Sequence, residues 1–210
     1  MIISHRLKFA FFANPKTGSK AAGIMLRMAG VFNENDILIK QRFAGTRTAD
    51  ICIPAYNLEE GVPDHLTPRG AIEEGYITLE QLREYNCFAF LREPEDRYYA
   101  SRIAMVLNRH GIISNGLPLE KPHLAQFEYF LVGDEQVVTP LDFGDYNAGI
   151  RHMYDTLDAK FNHMNLAEIQ SYRRFASSKY LSKYKYNPLD HNKDVRLYKK
   201  MVIENANKNS

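Results

Sequence analysis

The sequence predicts an α/β fold with a mainly parallel central sheet flanked by helices, on three observations. An apolar strand-like run (Leu7, Phe9, Ala10, Phe11, Phe12, Ala13) passes through a tight Gly-containing loop into a helix-like run from Ala21 to Val31. A second short apolar run, Asn86 to Leu91, leads directly into a helix start at Pro94. Strand-like and helix-like stretches then keep alternating, and that alternation lays parallel strands side by side with helices over both faces.

The first loop, Pro15-Lys16-Thr17-Gly18-Ser19-Lys20, carries the clearest chemistry. A strand that enters a tight loop and then a helix leaves backbone N–H groups aimed at one point, with the positive end of the helix dipole behind them. Lys16 adds a mobile cation, and the hydroxyls of Thr17 and Ser19 add neutral donors, so a phosphate or sulfate group meets complementary partners there. The plainer reading is that Thr, Gly and Ser stand in the loop because they cap helices and permit tight turns. The loop is not a Walker A sequence: a Gly would be needed where Ala13 or Asn14 stands, and Ala21 follows Lys20 in place of a hydroxyl residue.

The elements that follow are extended runs at Ile37 to Arg42 and Asp50 to Ala55, and a Gly- and Pro-punctuated segment from Ala44 to Pro68 with the look of an active-site loop. A helix at Leu79 to Tyr85 precedes the strand Asn86 to Leu91. Arg92 falls at the carboxyl end of that strand, where open α/β sheets place their ligands. From Tyr99 onward, Ala100, Ile103, Val106 and Leu107 form an apolar stripe at helical spacing, and Arg97 and Ser101 share the opposite face. Later come a helix at Leu124 to Val132, a strand at Val137 to Phe143 and a helix at Ala148 to Phe161.

These two loops resemble the signatures of the sulfotransferases that use 3′-phosphoadenosine 5′-phosphosulfate. Pro15 to Ser19 match the family's Pro-Lys-Thr-Gly/Ala-Ser/Gly-Thr loop, which wraps the 5′-phosphosulfate, and Lys20 departs from it. Arg92, Pro94 and Arg97 match Arg-x-Pro-x-x-Arg-x-x-Ser, whose first Arg and final Ser hold the 3′-phosphate. Ser101 stands one position later than the family's Ser, where Ala100 is found, and one residue turns a helical side chain by about 100°. The likeness is closest to the carbohydrate-modifying branch with heparan sulfate 2-O- and chondroitin sulfotransferases, whose order of a His, a helix and a Phe-rich strand is similar to His65, Leu79 to Tyr85 and Phe88-Ala89-Phe90.

The resemblance implies a three-layer, P-loop-like fold and sulfuryl transfer to an acceptor hydroxyl, with adenosine 3′,5′-bisphosphate as product and no metal. It implies Pro15, Lys16, Thr17, Gly18, Ser19, Lys20, Arg92 and Ser101 as the cofactor-binding residues. In-line displacement at sulfur asks for an oriented acceptor, removal of its proton and stabilisation of charge on the leaving phosphate. Lys16 is the candidate for the leaving-group contact, and His65 for the general base, since an ordinary histidine pKa of about 6.5 suits proton acceptance at neutral pH. Glu73 and Glu74 are the next candidates for the base.

Composition is consistent with one domain over residues 1–210: 45% hydrophobic content in 210 residues buries a core without staples. Cys52 and Cys87 are too few and too far apart for a disulfide framework, and no stretch approaches the roughly 20 apolar residues of a membrane span. The expected setting is a bacterial or viral cytoplasm, and the expected partner a hydroxyl-bearing acceptor, a saccharide by family branch, rather than a membrane or nucleic acid. The segment 171–210 differs in character, carrying a charge of +7 against −5 for the remainder, with five Tyr interleaved. It suits a nucleic-acid surface, a groove for an acidic polysaccharide, a cover for the adenosine end of the cofactor, or a solvated helical face with Tyr packed beneath. Two other functions stay open: a nucleotide kinase using ATP and magnesium, and a binding protein on a sulfotransferase scaffold without turnover.

Overall fold

The structure, a computed structural model, describes residues 1–38, 65–109, 125–161 and 186–208. In chain order the first elements are strands β1 (Ile2–Ser4) and β2 (Phe9–Phe11), helix α1 (Ser19–Met28) and the short strand β3 (Ile37–Leu38). Helices α2 (Pro68–Glu73) and α3 (Leu79–Glu84) lead to β4 (Asn86–Leu91) and the long α4 (Pro94–Arg109). A 3-10 turn (Gln126–Tyr129) precedes β5 (Leu131–Val132), β6 (Glu135–Gln136) and β7 (Thr139–Asp142), then α5 (Tyr146–Thr156). A second 3-10 turn (Pro188–His191) runs into α6 (Asn192–Lys208). The expected extended run Asp50 to Ala55 and most of the segment Ala44 to Pro68 lie outside the described residues.

The central sheet has the order β3-β1-β2-β4-β7. β2, β4 and β7 run parallel, Phe11 beside Phe88 and Phe90 beside Leu141, whereas β1 is antiparallel to both β2 and β3. The sheet is therefore mixed but mostly parallel, and the expected α/β architecture with flanking helices is present. The hairpin of β1 and β2 was not legible in advance: a run of apolar residues interrupted by His5 and Arg6 gives no sign of which strands will pair.

Alternation of side chains along β2 and β4 builds two apolar layers, one on each face. Phe9, Phe11, Phe88 and Phe90 pack with Met25 and Leu26 of α1 and Ile150 and Met153 of α5. Ala10, Phe12, Cys87, Ala89 and Leu91 face the other way, onto Ala71 of α2, Leu82 of α3, Tyr129 and Met201 of α6. Burial on both faces is why β4 reads as an unbroken apolar run. Each fully buried Phe here contributes about 1.5–3 kcal/mol relative to exposure.

Local signals set the helix starts. Thr78 caps α3 in a capping box with Gln81, Thr67 caps α2 with Pro68 at its first position, and Asp145 caps α5. The expected helix at Leu124 to Val132 is a correction: the described part is a 3-10 turn followed by the β5–β6 hairpin. Gly133 takes φ +63° there, a left-handed turn that a continuing helix would not permit, and Tyr129 and Phe130 reach full burial from the turn.

Gly149 on α5 lies so close to β4 that an added Cβ would sit 2.6 Å from Cε1 of Phe90. Phe90 is itself stacked on Tyr146 at 4.4 Å and has no room to retreat. Gly149→Ala is expected to destabilise the protein by about 1–3 kcal/mol through overpacking, measured by urea denaturation. An unchanged midpoint would show that α5 can lift away from the sheet.

Candidate functional site

Parallel strands bring their carboxyl ends to one edge, so the segments after β2, β4 and β7 meet there. Phe12 N–H donates to the Phe88 carbonyl at 2.8 Å and Phe143 N–H to the Leu91 carbonyl at 3.0 Å, which keeps the three ends level. The meeting segments are the Pro15-to-Gly18 loop, Arg92-Glu93, and Phe143 to Asp145.

In the first of these, Lys16 and Gly18 both take left-handed backbone angles, φ 62° and 71°. Gly18 then begins α1 without a side-chain cap, unlike the Thr- and Asp-capped starts of α2, α3 and α5. Gly is needed at that position for space as well as angle: a Cβ would lie 3.0 Å from Cε2 of Tyr146, whose hydroxyl donates to the Gly18 carbonyl at 2.8 Å. The Thr17 hydroxyl turns inward and donates to the Asn14 carbonyl at 2.8 Å, so its proton braces the loop. Ser19, the first residue of α1, is 3% exposed.

Both arginines of the second motif hold carbonyls of the first. Arg92 donates from Nη1 to the Lys16 carbonyl at 3.1 Å, its guanidinium lying 4.6 Å from the centre of the Phe143 ring. Arg97 donates from Nε to the Pro15 carbonyl at 3.1 Å and faces Asp194 of α6 at 3.9 Å. In a trans peptide the carbonyl and the following N–H point in opposite directions. Fixing the Pro15 and Lys16 carbonyls therefore fixes where the Lys16 and Thr17 N–H groups aim.

The electrostatics of this corner are one-sided. Burial, with the positive charges of Lys20 and Arg97 added, brings the Lys16 ammonium down to a pKa of about 8. His65 lies against the same loop: its Nδ1 is 2.6 Å from the Ala13 carbonyl. A carbonyl only accepts, so Nδ1 carries the proton and Nε2 keeps its lone pair. Burial lowers the His65 pKa to about 4, and the charges on Lys16 and Lys20 press the same way, against the Ala13 bond. The imidazole is neutral at pH 7.

Of the residues singled out in the sequence, Pro15, Lys16, Gly18 and Arg92 are thus in one contact network, and His65 and Lys20 are close enough to act on the charge of Lys16 or feel it. Ser101 lies a helical turn beyond Arg97 and is 7% exposed, so it is a buried serine and not a solvated one. Glu73 is on the surface, bonded to Arg69 at 2.9 Å, and Glu74 is exposed as well. Among the described residues no group of three or more His, Cys, Asp or Glu could hold a metal ion, and no helix is long and apolar enough to cross a membrane.

Sequence reasoning missed the residues that brace the site. Gln126, fully buried, accepts from Arg92 N–H at 3.0 Å and Asn14 Nδ2 at 3.3 Å, and donates to the Arg92 carbonyl at 2.8 Å. Asn14 also donates to the Phe90 carbonyl at 2.8 Å. The one available signal was an amide side chain just before Pro15; nothing local marks Gln126, which meets its partners across more than thirty residues of chain.

A histidine held at about 4 in the fold, against 6.5 in the unfolded chain, leaves the unfolded state with more bound protons between those values. Stability supported by neutral His65 is therefore complete above pH 6.5 and is lost as pH falls towards 4. Chemical denaturation at stepped pH is expected to show this slope in the parent protein and a shallower one in His65→Gln; equal slopes would place the imidazole in water. No protein-family model, curated protein or solved structure matches the chain.

Proposed function

We propose that the chain is a sulfotransferase that moves a sulfuryl group from 3′-phosphoadenosine 5′-phosphosulfate to a hydroxyl of a carbohydrate acceptor. The observation that carries this reading is the joining of the two motifs, Arg92 to the Lys16 carbonyl and Arg97 to the Pro15 carbonyl. Two short patterns far apart in sequence form a single cationic corner at the carboxyl ends of parallel strands, as the use of one doubly anionic nucleotide requires. The strand, left-handed loop and uncapped helix of residues 9–28 also support a P-loop-like reading of the fold.

The residues present fit such a ligand. A buried lysine whose pKa is lowered by burial and by neighbouring cations gains from any anion that enters, and the start of α1 offers N–H groups to the same anion. Pro15 to Lys20 would hold the 5′-phosphosulfate end, Arg92 the 3′-phosphate, with Ser101 a further donor. When bound, the phosphosulfate supplies an activated sulfuryl group and a phosphate leaving group. Lys16 has the flexible stem and the charge to meet a bridging oxygen as it becomes negative. His65, neutral and with its tautomer fixed by Ala13, presents Nε2 to accept the hydroxyl proton. Burial is the main reason His65 is held low and the lysine charges add a smaller part; an anion in the site offsets that part and raises its basicity when a base is needed. The exposure of Glu73 and Glu74 favours His65 over them.

Thermal shift with adenosine 3′,5′-bisphosphate at about 100 times its dissociation constant is expected to add about 2.7 kcal/mol of stability, with little response to AMP. Equal responses to the two would remove Arg92 from the site, and a larger response to ATP with magnesium would favour a kinase. Bisphosphate affinity is expected to weaken as pH rises through about 8, by up to tenfold per pH unit, because Lys16 must carry a proton to hold the anion; Lys16→Met is expected to flatten that profile. Lys16→Ala and His65→Ala are each expected to lower turnover about a hundredfold or more. Near-normal turnover in His65→Ala would move the base elsewhere.

A further inference from the structure

The basic carboxyl-terminal segment does not present one uniform face. On α6 the lysines Lys193, Lys199 and Lys200 are exposed, as is Arg196, while Asp194 in the first turn is 2% exposed and Met201 is 3% exposed. Asp194 and Met201, two turns apart, form the inward stripe, with Leu197 and Tyr198 between them. Among the described side chains, the helix therefore docks by Asp194 and a few apolar residues.

That acid stands behind the anion loop. Its Oδ2 faces Nη1 of Arg97 at 3.9 Å, and Nε of Arg97 holds the Pro15 carbonyl at 3.1 Å. Its Oδ1 accepts the Phe127 N–H at 2.9 Å. Phe127 follows Gln126 in the chain, and the Gln126 amide bonds Asn14 and both backbone groups of Arg92. One buried carboxylate thus reaches the first motif through Arg97 and the second through the Gln126 turn.

We propose that Asp194 is a positioning residue for the anion loop: through Arg97 it sets the Pro15 peptide, and with it the Lys16 N–H direction, so the carboxyl-terminal helix tunes the site's grip on a phosphate-type anion without touching it. The proposal rests on the anion reading for its consequence, but not for its geometry. Arg97 is always charged and buried, so its position depends on the charges around it, Asp194 foremost with Glu128 adding to it, and on the Pro15 carbonyl it donates to. Loss of Asp194 removes the leading favourable charge on the guanidinium, which shifts towards its remaining partners, and the Pro15 carbonyl moves with it. A plain docking role for Asp194, a helix-start acid favoured by the dipole of α6, would leave the loop where it is once α6 is seated.

The test compares the parent protein with Asp194→Asn, Asp194→Glu and Asp190→Asn, and with Arg97→Lys as a variant that keeps the buried cation but not the Nε bond. Asp190 is exposed in the adjoining turn, so its substitution makes the same charge change without the contact. Two quantities are read in each: the backbone amide NMR shifts of Lys16, Thr17 and Gly18, and the dissociation constant for adenosine 3′,5′-bisphosphate. Asp194→Asn and Arg97→Lys are expected to move the loop amides and weaken the bisphosphate about tenfold. Asp194→Glu is expected to restore both in large part, and Asp190→Asn to change neither. Loop amides that stay in place in folded Asp194→Asn or Arg97→Lys would overturn the proposal. A parent protein that ignores the bisphosphate would end the nucleotide reading alone, since the amide shifts still decide whether Asp194 positions the loop.

Discussion

Two guanidinium-to-carbonyl bonds, Arg92 to Lys16 and Arg97 to Pro15, are the constraint on which this corner of the molecule depends. The loop they hold contains a non-glycine residue in the left-handed region, Lys16, which costs about 1–2 kcal/mol on its own. Charge-assisted bonds to both flanking carbonyls offset that cost. Parallel pairing of β2 with β4 supplies the register that makes them possible, because it brings Phe12 and Leu91, and so the residues after them, to the same edge of the sheet.

The same arrangement gathers charge of one sign. Lys16, Lys20, Arg92 and Arg97 sit within reach of one another's fields, and this adds to burial, the larger cause, in lowering the pKa values of Lys16 and His65. Asp194 answers only the rear of the cluster, where it faces Arg97. An anion in front of the loop would meet the N–H groups at the start of α1 and offset the gathered positive charge.

Much of this was legible in the residues. The strands β2 and β4, the helix starting at Pro94 and the helix from Leu79 announce themselves by short-range pattern, and the placement of Arg92 at a strand end follows from the α/β alternation. Long-range partners left no local trace. Gln126 joins both motifs from a segment whose apolar spacing mimics a helix, and Asp194 reads as one acid in a basic tail. The Thr17 hydroxyl has the identity of a ligand donor but braces Asn14 instead, a choice set by loop geometry and not by residue type. Of the tail readings, α6 shows Lys193, Arg196, Lys199 and Lys200 outward, with Asp194, Tyr198 and Met201 beneath.

The central claim is that Lys16 and Arg92 serve opposite ends of one nucleotide. A crystal structure with adenosine 3′,5′-bisphosphate tests it most directly. The account predicts a single molecule with its 5′-phosphate on the Pro15-to-Lys20 loop and its 3′-phosphate at Arg92. A bisphosphate bound elsewhere, or touching one of these residues with the other turned away, would contradict it.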